Sequence, residues 1–444
     1  MNESSVDKFD ASLTPDNADF IFGWVVSIYC VGGMLGGLLS GIIAEKFGRK
    51  GAMYLNNVAA LVGAAFLGLT KTSGVYPLLF VGRFILGFNS GLNTAIAPLY
   101  LTEIAPVNLR GALGTVNQLS ATASILVAQT LGLSQVLGSQ RLWPLLLALT
   151  VVPAIYQLIS LPFCPESPKY MLLSKNNVQG AREVLKKLRQ SDNVENEIAV
   201  MLEESNRARK EPEVRFKDMF FERHLRWPLV IAVMMMLSQQ FSGINATMYY
   251  SSDTFKKASL SDQNAAYATI GMGAINVLMT LVSTLLVDRF GRRTLHLLGM
   301  TGMWFSSIAL VICLATIDMS KVAAYFAIIC VFLFVIAFAT GPGSIPWFYV
   351  NEIFQQNARA HATSVAVVAN WTANFVVGLI FLPLTNLINQ YTFLIFTFCL
   401  TVSIIFTWKF VPETKGRSVD EIVAEFQEDR ALLARSPNKI QPLN

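Results

Sequence analysis

Carboxamide side chains sit inside long apolar stretches of this sequence, where an unpaired amide is costly to bury, among them Asn117, Gln118, Gln239, Gln240, Asn245, Asn276, Asn370 and Asn374. A carboxamide both donates and accepts hydrogen bonds, so a set of them suits a neutral solute rich in hydroxyl groups. Trp347 stands beside Gly and Pro residues and Trp371 beside Asn370, and an aromatic face packs well on the C–H face of a ring. For any one amide, packing glue between helices is an equally good reading. The argument rests on several gathering where ionisable groups are almost absent. Arg83 is the exception, read as a snorkelling or structural charge. Gly341-Pro342-Gly343 interrupts an apolar stretch, and a broken helix serves as a gate and lets backbone approach a ligand.

Enzyme chemistry finds no foothold. His224, His296 and His361 are scattered, with no nucleophile–base pair, phosphate loop or metal-ligand spacing, so no cofactor is expected. Cys30, Cys164, Cys313, Cys330 and Cys399 form no C-x-x-C pair and read as small core residues.

The elements that must position these groups are membrane spans. The chain is 53% hydrophobic and 14% charged, with mean hydropathy +0.48. A spanning helix needs ~20 apolar residues, and eleven blocks qualify: Phe20–Ala44, Ala52–Leu69, Pro77–Leu101, Leu113–Leu137, Trp143–Phe163, Trp227–Tyr250, Tyr267–Val287, Leu295–Ile317, Val322–Tyr349, Thr363–Leu384 and Tyr391–Val411. The net charge of +5 fits loops facing anionic lipid and gives no nucleic-acid signal.

Lys and Arg concentrate in alternate connections, at Lys46, Arg49, Lys50, Arg110, the stretch Pro165–Arg226, Arg289, Arg292, Arg293, Arg359 and the C-terminal tail. The positive-inside rule makes that side cytoplasmic. The expected layout is an extracellular tail over 1–19, five spans over 20–164, a cytoplasmic loop over 165–226, six spans over 227–411 and a cytoplasmic tail over 412–444. The sequon at Asn2 would then lie outside and accept glycan, whereas those at Asn245 and Asn370 fall within spans. In the loop, Val184, Leu185, Leu188, Ile198, Met201 and Leu202 recur at helical spacing, which reads as short amphipathic helices or, failing that, a solvated linker.

The sequence also repeats. Phe47-Gly48-Arg49-Lys50 returns as Phe290-Gly291-Arg292-Arg293, Glu103 and Arg110 return as Glu352 and Arg359, and Pro165-Glu166-Ser167 returns as Pro412-Glu413-Thr414. All offsets fall between 243 and 249 residues. Transporters are often built from such repeats, with substrate held between the halves. The recurring carboxylates and arginines suggest an inner latch of ion pairs between halves, against the plainer reading that they only set topology. Two spans precede Gly291 but only Phe20–Ala44 precedes Gly48, so the first half lacks the counterpart of Trp227–Tyr250.

Taken together, Gly48-Arg49-Lys50, Gly291-Arg292-Arg293, Pro165-Glu166-Ser167-Pro168, Gln239 through Asn245, Gly341 through Trp347, Asn370-Trp371 and Pro412 through Gly416 resemble the sugar porters of the major facilitator superfamily, nearest the animal facilitative glucose transporters. The resemblance implies an all-α membrane protein of two pseudo-repeated halves with eleven of the usual twelve transmembrane helices. It implies a multi-pass plasma-membrane uniporter for hexoses, glucose first, working by alternating access. By motif position Gln118, Gln239, Gln240, Asn245, Asn276, Trp347 and Asn370 would line the sugar site. Glu103, Arg110, Arg292, Arg293, Glu352 and Arg359 would form the latch, with Phe338 and Gly343 at the gate. The chain departs from the pattern at Ala339, where such carriers have Glu, at Met236, where glucose-selective members have Gln, and in the absent first span. Two alternatives remain: a non-transporting short isoform or sugar sensor, and a proton-coupled symporter.

Overall fold

The computed structural model describes residues 15–106, 110–210, 214–249, 251–257, 260–319, 321–417, 419 and 421–426. Asn2 and the side chain of Arg110 lie outside the described residues. Within them the chain is helical, with no strand. Backbone groups cannot be left unpaired in hydrocarbon, and helices close their own hydrogen bonds.

The first helix, α1 (Pro15–Ser73), turns sharply at Gly48 and is two crossings in one run. It is followed by α2 (Pro77–Ile104), α3 (Arg110–Leu131), α4 (Trp143–Ala148) and α5 (Val151–Ser160). Short helices α6 (Pro168–Leu173), α7 (Val178–Arg189), α8 (Glu195–Lys210) and α9 (Asp218–Phe221) form the middle of the chain. The second half holds α10 (Arg223–Gln240), α11 (Ile244–Tyr249), α12 (Ser251–Lys257), α13 (Asp262–Phe290), α14 (Arg292–Ala315), α15 (Lys321–Thr340), α16 (Ile345–Ile353), α17 (Gln356–Ile388) and α18 (Thr392–Phe410).

Among the described residues, seven helical stretches are long and apolar enough to cross a membrane. Two of them, Phe20–Ser73 and Asn357–Phe410, are 54 residues long, room for two crossings each at ~20 residues per crossing. Leu285, Leu298, Phe305, Tyr325, Phe398 and Trp408 are exposed, an arrangement that is stable only against lipid.

Each expected span coincides with helix, with three internal breaks. Trp227–Tyr250 is divided between α10 and α11 at Gly243, where φ is 89°. Val322–Tyr349 is divided between α15 and α16 at Gly341-Pro342-Gly343. Trp143–Phe163 is divided between α4 and α5, and α3 ends at Leu131 rather than Leu137. The loop helices are real and amphipathic. Leu185, Ile198 and Met201 pack with Leu172, Ala181 and Val194 into a small core of their own, and Arg189 ties that core to the chain end of α2 by donating to Ile104 O at 2.9 Å.

The halves touch along two helix pairs, α1 with α17 and α3 with α13. In the first, Gly33 leaves room for the Trp371 ring, Tyr29 meets Trp371 edge-on at 5.8 Å, and Trp24 meets Phe375 at 5.8 Å. In the second, Gln129 lies over Gly273 and Tyr267 donates to Gln135 at 3.1 Å. Both seams are made of apolar and neutral polar contacts, which separate and re-form without stranding a charge.

Candidate solute site and the end clasps

Four amides of the second half converge. Gln239 and Gln240 end α10 just before the turn at Gly243, so both side chains project where the helix breaks. Gln239 Nε2 donates to the carbonyls of Pro342 at 2.8 Å and Gly343 at 2.9 Å, joining one broken span to the other. Its Oε1 accepts from Asn370 Nδ2 at 2.8 Å. Asn370 Oδ1 in turn accepts from Gln240 Nε2 at 2.8 Å, and Gln240 Oε1 accepts from Asn245 Nδ2. Gln239, Gln240 and Asn370 are 3%, 6% and 2% exposed, so the network satisfies itself in a setting where unpaired amides would be costly.

The gate residues adjoin this network. Gly343 N donates to Phe338 O at 2.9 Å, and the Phe338 ring lies where a side chain on Gly343 would begin. Trp347 is half-buried on α16, packed on the core beneath α10. Asn276 is buried on α13 with its Oδ1 unpartnered, as is Trp371 Nε1 on α17. Those two groups have hydrogen-bonding capacity to spare for a ligand or water. Gln118, on α3 of the first half, is half-buried. Other amides serve packing: Asn56 and Asn89 exchange bonds with each other's backbone carbonyls at 3.0 and 2.9 Å, joining α1 to α2.

Two of the three departures from the family pattern are residues of the second half, Met236 and Ala339. Met236 is 1% exposed, and its sulfur accepts from Asn370 Nδ2 at 3.5 Å, a weak acceptor where an amide oxygen would be a strong one. Ala339 is buried and offers no polar group.

The recurring charged residues form two matched clasps, one per half. Gly48 and Gly291 have φ of 80° and 89°, which lets each chain reverse into a new helix. The first N–H groups of each new helix are capped by a carboxylate from the far end of the same half. Glu166 accepts from Arg49 N at 3.1 Å and Lys50 N at 3.2 Å, and Glu413 accepts from Arg292 N at 2.7 Å and Arg293 N at 3.1 Å. A negative charge there also complements the helix dipole. Arg49 forks onto Glu103 with both contacts at 2.8 Å, and Arg292 pairs with Glu352 at 3.1 Å. Arg293 donates to Trp408 O, and Arg359 to Phe354 O at 3.2 Å. All of these bonds stay within one half and brace it; the expected latch also involves Arg110, whose side chain lies outside the described residues.

Sequence reasoning missed a further matched pair. Tyr100 donates to Pro165 O at 2.6 Å and Tyr349 to Pro412 O at 2.7 Å. Their offset of 249 residues, the same as that of Glu103 and Glu352, is the signal that would have found them. Arg83 proves structural: it donates to the carbonyls of Val25 and Val26 at 3.2 Å each and lies over the Tyr29 ring.

Residues 2–426 match the family described as sugar (and other) transporter. The chain belongs to that family. It is 51% identical to facilitated glucose transporter protein 1 of Caenorhabditis elegans over 96% of this chain and 84% of the relative. It is 47% identical to mouse (Mus musculus) facilitated glucose transporter member 4 of solute carrier family 2, over 92% of this chain and 80% of that one. Its fold is similar to a major facilitator superfamily proton:xylose symporter bound to 6-bromo-6-deoxy-D-glucose, with TM-score 0.78, 26% identity, and 96% and 93% of the two chains covered. A partially occluded, inward-open form of the Escherichia coli xylose transporter gives TM-score 0.78 at 25% identity, over 94% of each chain. The transporter is therefore a multi-pass membrane protein of the major facilitator fold, and not an enzyme.

Proposed function

We propose that this transporter is a facilitative hexose uniporter, with glucose its first substrate, and that it resides in the plasma membrane. The observation that carries the reading is the buried amide network of Gln239, Gln240, Asn245 and Asn370 held against the carbonyls of a broken helix. Gln118, Asn276 and Trp347 complete the proposed sugar site, Gln118 from the facing half.

In this reading sugar hydroxyls displace the amides' bonds to one another. One set of neutral hydrogen bonds replaces another, so binding is favourable but shallow, since the net worth of each bond is only about 1 kcal/mol. A carrier needs that shallowness in order to release its cargo. Binding frees the Pro342 and Gly343 carbonyls from Gln239, which loosens the hinge between α15 and α16. Glu103, Arg110, Arg292, Arg293, Glu352 and Arg359 act in the end clasps, which keep each half rigid while the neutral seams part. The basic clasp end faces the cytoplasm, as its Lys and Arg residues suggest.

The relatives' names support uniport over proton symport. Uptake of labelled glucose and fructose by the purified protein in liposomes, with and without a pH gradient, tests the reading. Saturable uptake indifferent to the gradient is expected. A requirement for the gradient would favour the symporter.

A further inference from the structure

His296 is fully buried on α14, yet no part of the proposed site or clasp uses it. Its Nε2 lies 3.2 Å from Ser238 Oγ. The Ser238 hydroxyl spends its one hydrogen on Met235 O at 2.7 Å, so the imidazole must donate through Nε2–H and the serine oxygen accept. Nδ1 is left buried without a partner. A phenyl ring would fill the same space without that cost, so the imidazole is unexplained by packing.

Its location gives it a task. Ser238 immediately precedes Gln239, and the backbone of Leu295 and His296 presses on Gly341: a methyl group there would fall 2.3 Å from Leu295 O and 2.9 Å from His296 N. His296 therefore meets the residue next to each partner of the bond that Gln239 makes to Pro342 and Gly343: its imidazole meets Ser238, and its backbone lies against Gly341. Helix α10 ends at Gln240, just before the break at Gly243, so a side-chain contact at Ser238 bears directly on its last turn.

We propose that His296 is a positioning residue for solute recognition: by donating to Ser238 it sets the rotation of the last turn of α10, and so the aim of the Gln239 amide between the Gly341-Pro342-Gly343 break and the sugar. The inference rests on the reading of Gln239 as a hexose ligand. It assigns no contact between His296 and the solute.

The test is glucose uptake by the full chain in liposomes for His296→Phe, His296→Gln and Ser238→Ala, with competition by glucose analogues each lacking one hydroxyl. His296→Phe and Ser238→Ala should raise the half-saturating glucose concentration roughly two- to tenfold, the worth of one buried hydrogen bond, in protein that a melting curve shows to be folded at the assay temperature. Both should also flatten the discrimination against the one deoxy analogue that Gln239→Ala flattens. His296→Gln, whose Nε2 reaches the same distance, should restore much of that discrimination. Should His296→Phe fail to fold, Ser238→Ala reads the same contact. Wild-type half-saturation and wild-type analogue ranking in both variants would overturn the proposal. Failure of Gln239→Ala itself to alter the ranking would instead overturn the placing of Gln239 in the site.

Discussion

Replacing Gln239 by Ala removes three buried hydrogen bonds: two donated to the Pro342 and Gly343 carbonyls and one accepted from Asn370. It leaves the Asn370 Nδ2 group with only the Met236 sulfur at 3.5 Å, while Asn370 Oδ1 keeps its bond from Gln240. If the same Gln239 groups serve two sugar hydroxyls, about 1 kcal/mol is lost for each. A total of about 2 kcal/mol corresponds to a roughly 30-fold rise in half-saturating glucose. Uptake kinetics in liposomes measure the rise, and a melting curve in detergent shows that the protein remains folded. The loosened break between α15 and α16 should leave the maximal rate within severalfold of the wild type. An unchanged half-saturation with a lowered melting temperature would refute the reasoning, because Gln239 would then be interhelical glue and nothing more.

Other consequences follow from the clasps, the seams and the loop. Gly87→Ala places a methyl carbon 1.9 Å from Tyr29 O, so α1 and α2 must separate; overpacking of this kind costs about 1–3 kcal/mol and should appear as a lower melting temperature. Glu166→Gln and Glu413→Gln each weaken the cap of one helix by about 1 kcal/mol, and because the caps lie in different halves the double variant should show the sum in melting. Met236→Gln offers Asn370 an amide oxygen in place of sulfur, and should raise glucose over fructose uptake in a competition assay. In the loop, hydrogen bonding to Lys186 and to Arg182 holds the Asp192 and Glu195 carboxyls below their usual range. A depressed folded-state value stabilises above the unfolded one and is lost as pH falls through the folded one. The protection factors of amide hydrogen exchange over 178–210, which correct for the intrinsic pH dependence of exchange, should therefore fall below about pH 4 and stay constant between pH 6 and 8.

The helices were legible because a bilayer demands long apolar blocks, and the three breaks fall at or beside Gly and Pro or Thr150. The convergence of Gln239, Gln240, Asn245 and Asn370 followed from their types and from the family resemblance, since sequence spacing alone does not bring α10 to α17. The partners of the recurring charges were not legible. Charge and offset showed that Arg49 and Glu103 matter, but whether Arg49 reaches across the halves or within one depends on tertiary packing. The same limit concealed the role of Glu166 and Glu413: in the sequence they are a repeated Pro-Glu, whereas in the fold they cap helices that begin 117 and 121 residues earlier. Tyr100 and Tyr349 went unread because their partners are carbonyls, which carry no residue signature.

Uptake of radiolabelled glucose by the purified protein in sealed liposomes, with no ion gradient, tests the central claim most directly. The account predicts saturable uptake, competed by unlabelled glucose and strongly weakened by Gln239→Ala. Folded protein that shows no saturable uptake of any hexose under those conditions would contradict it.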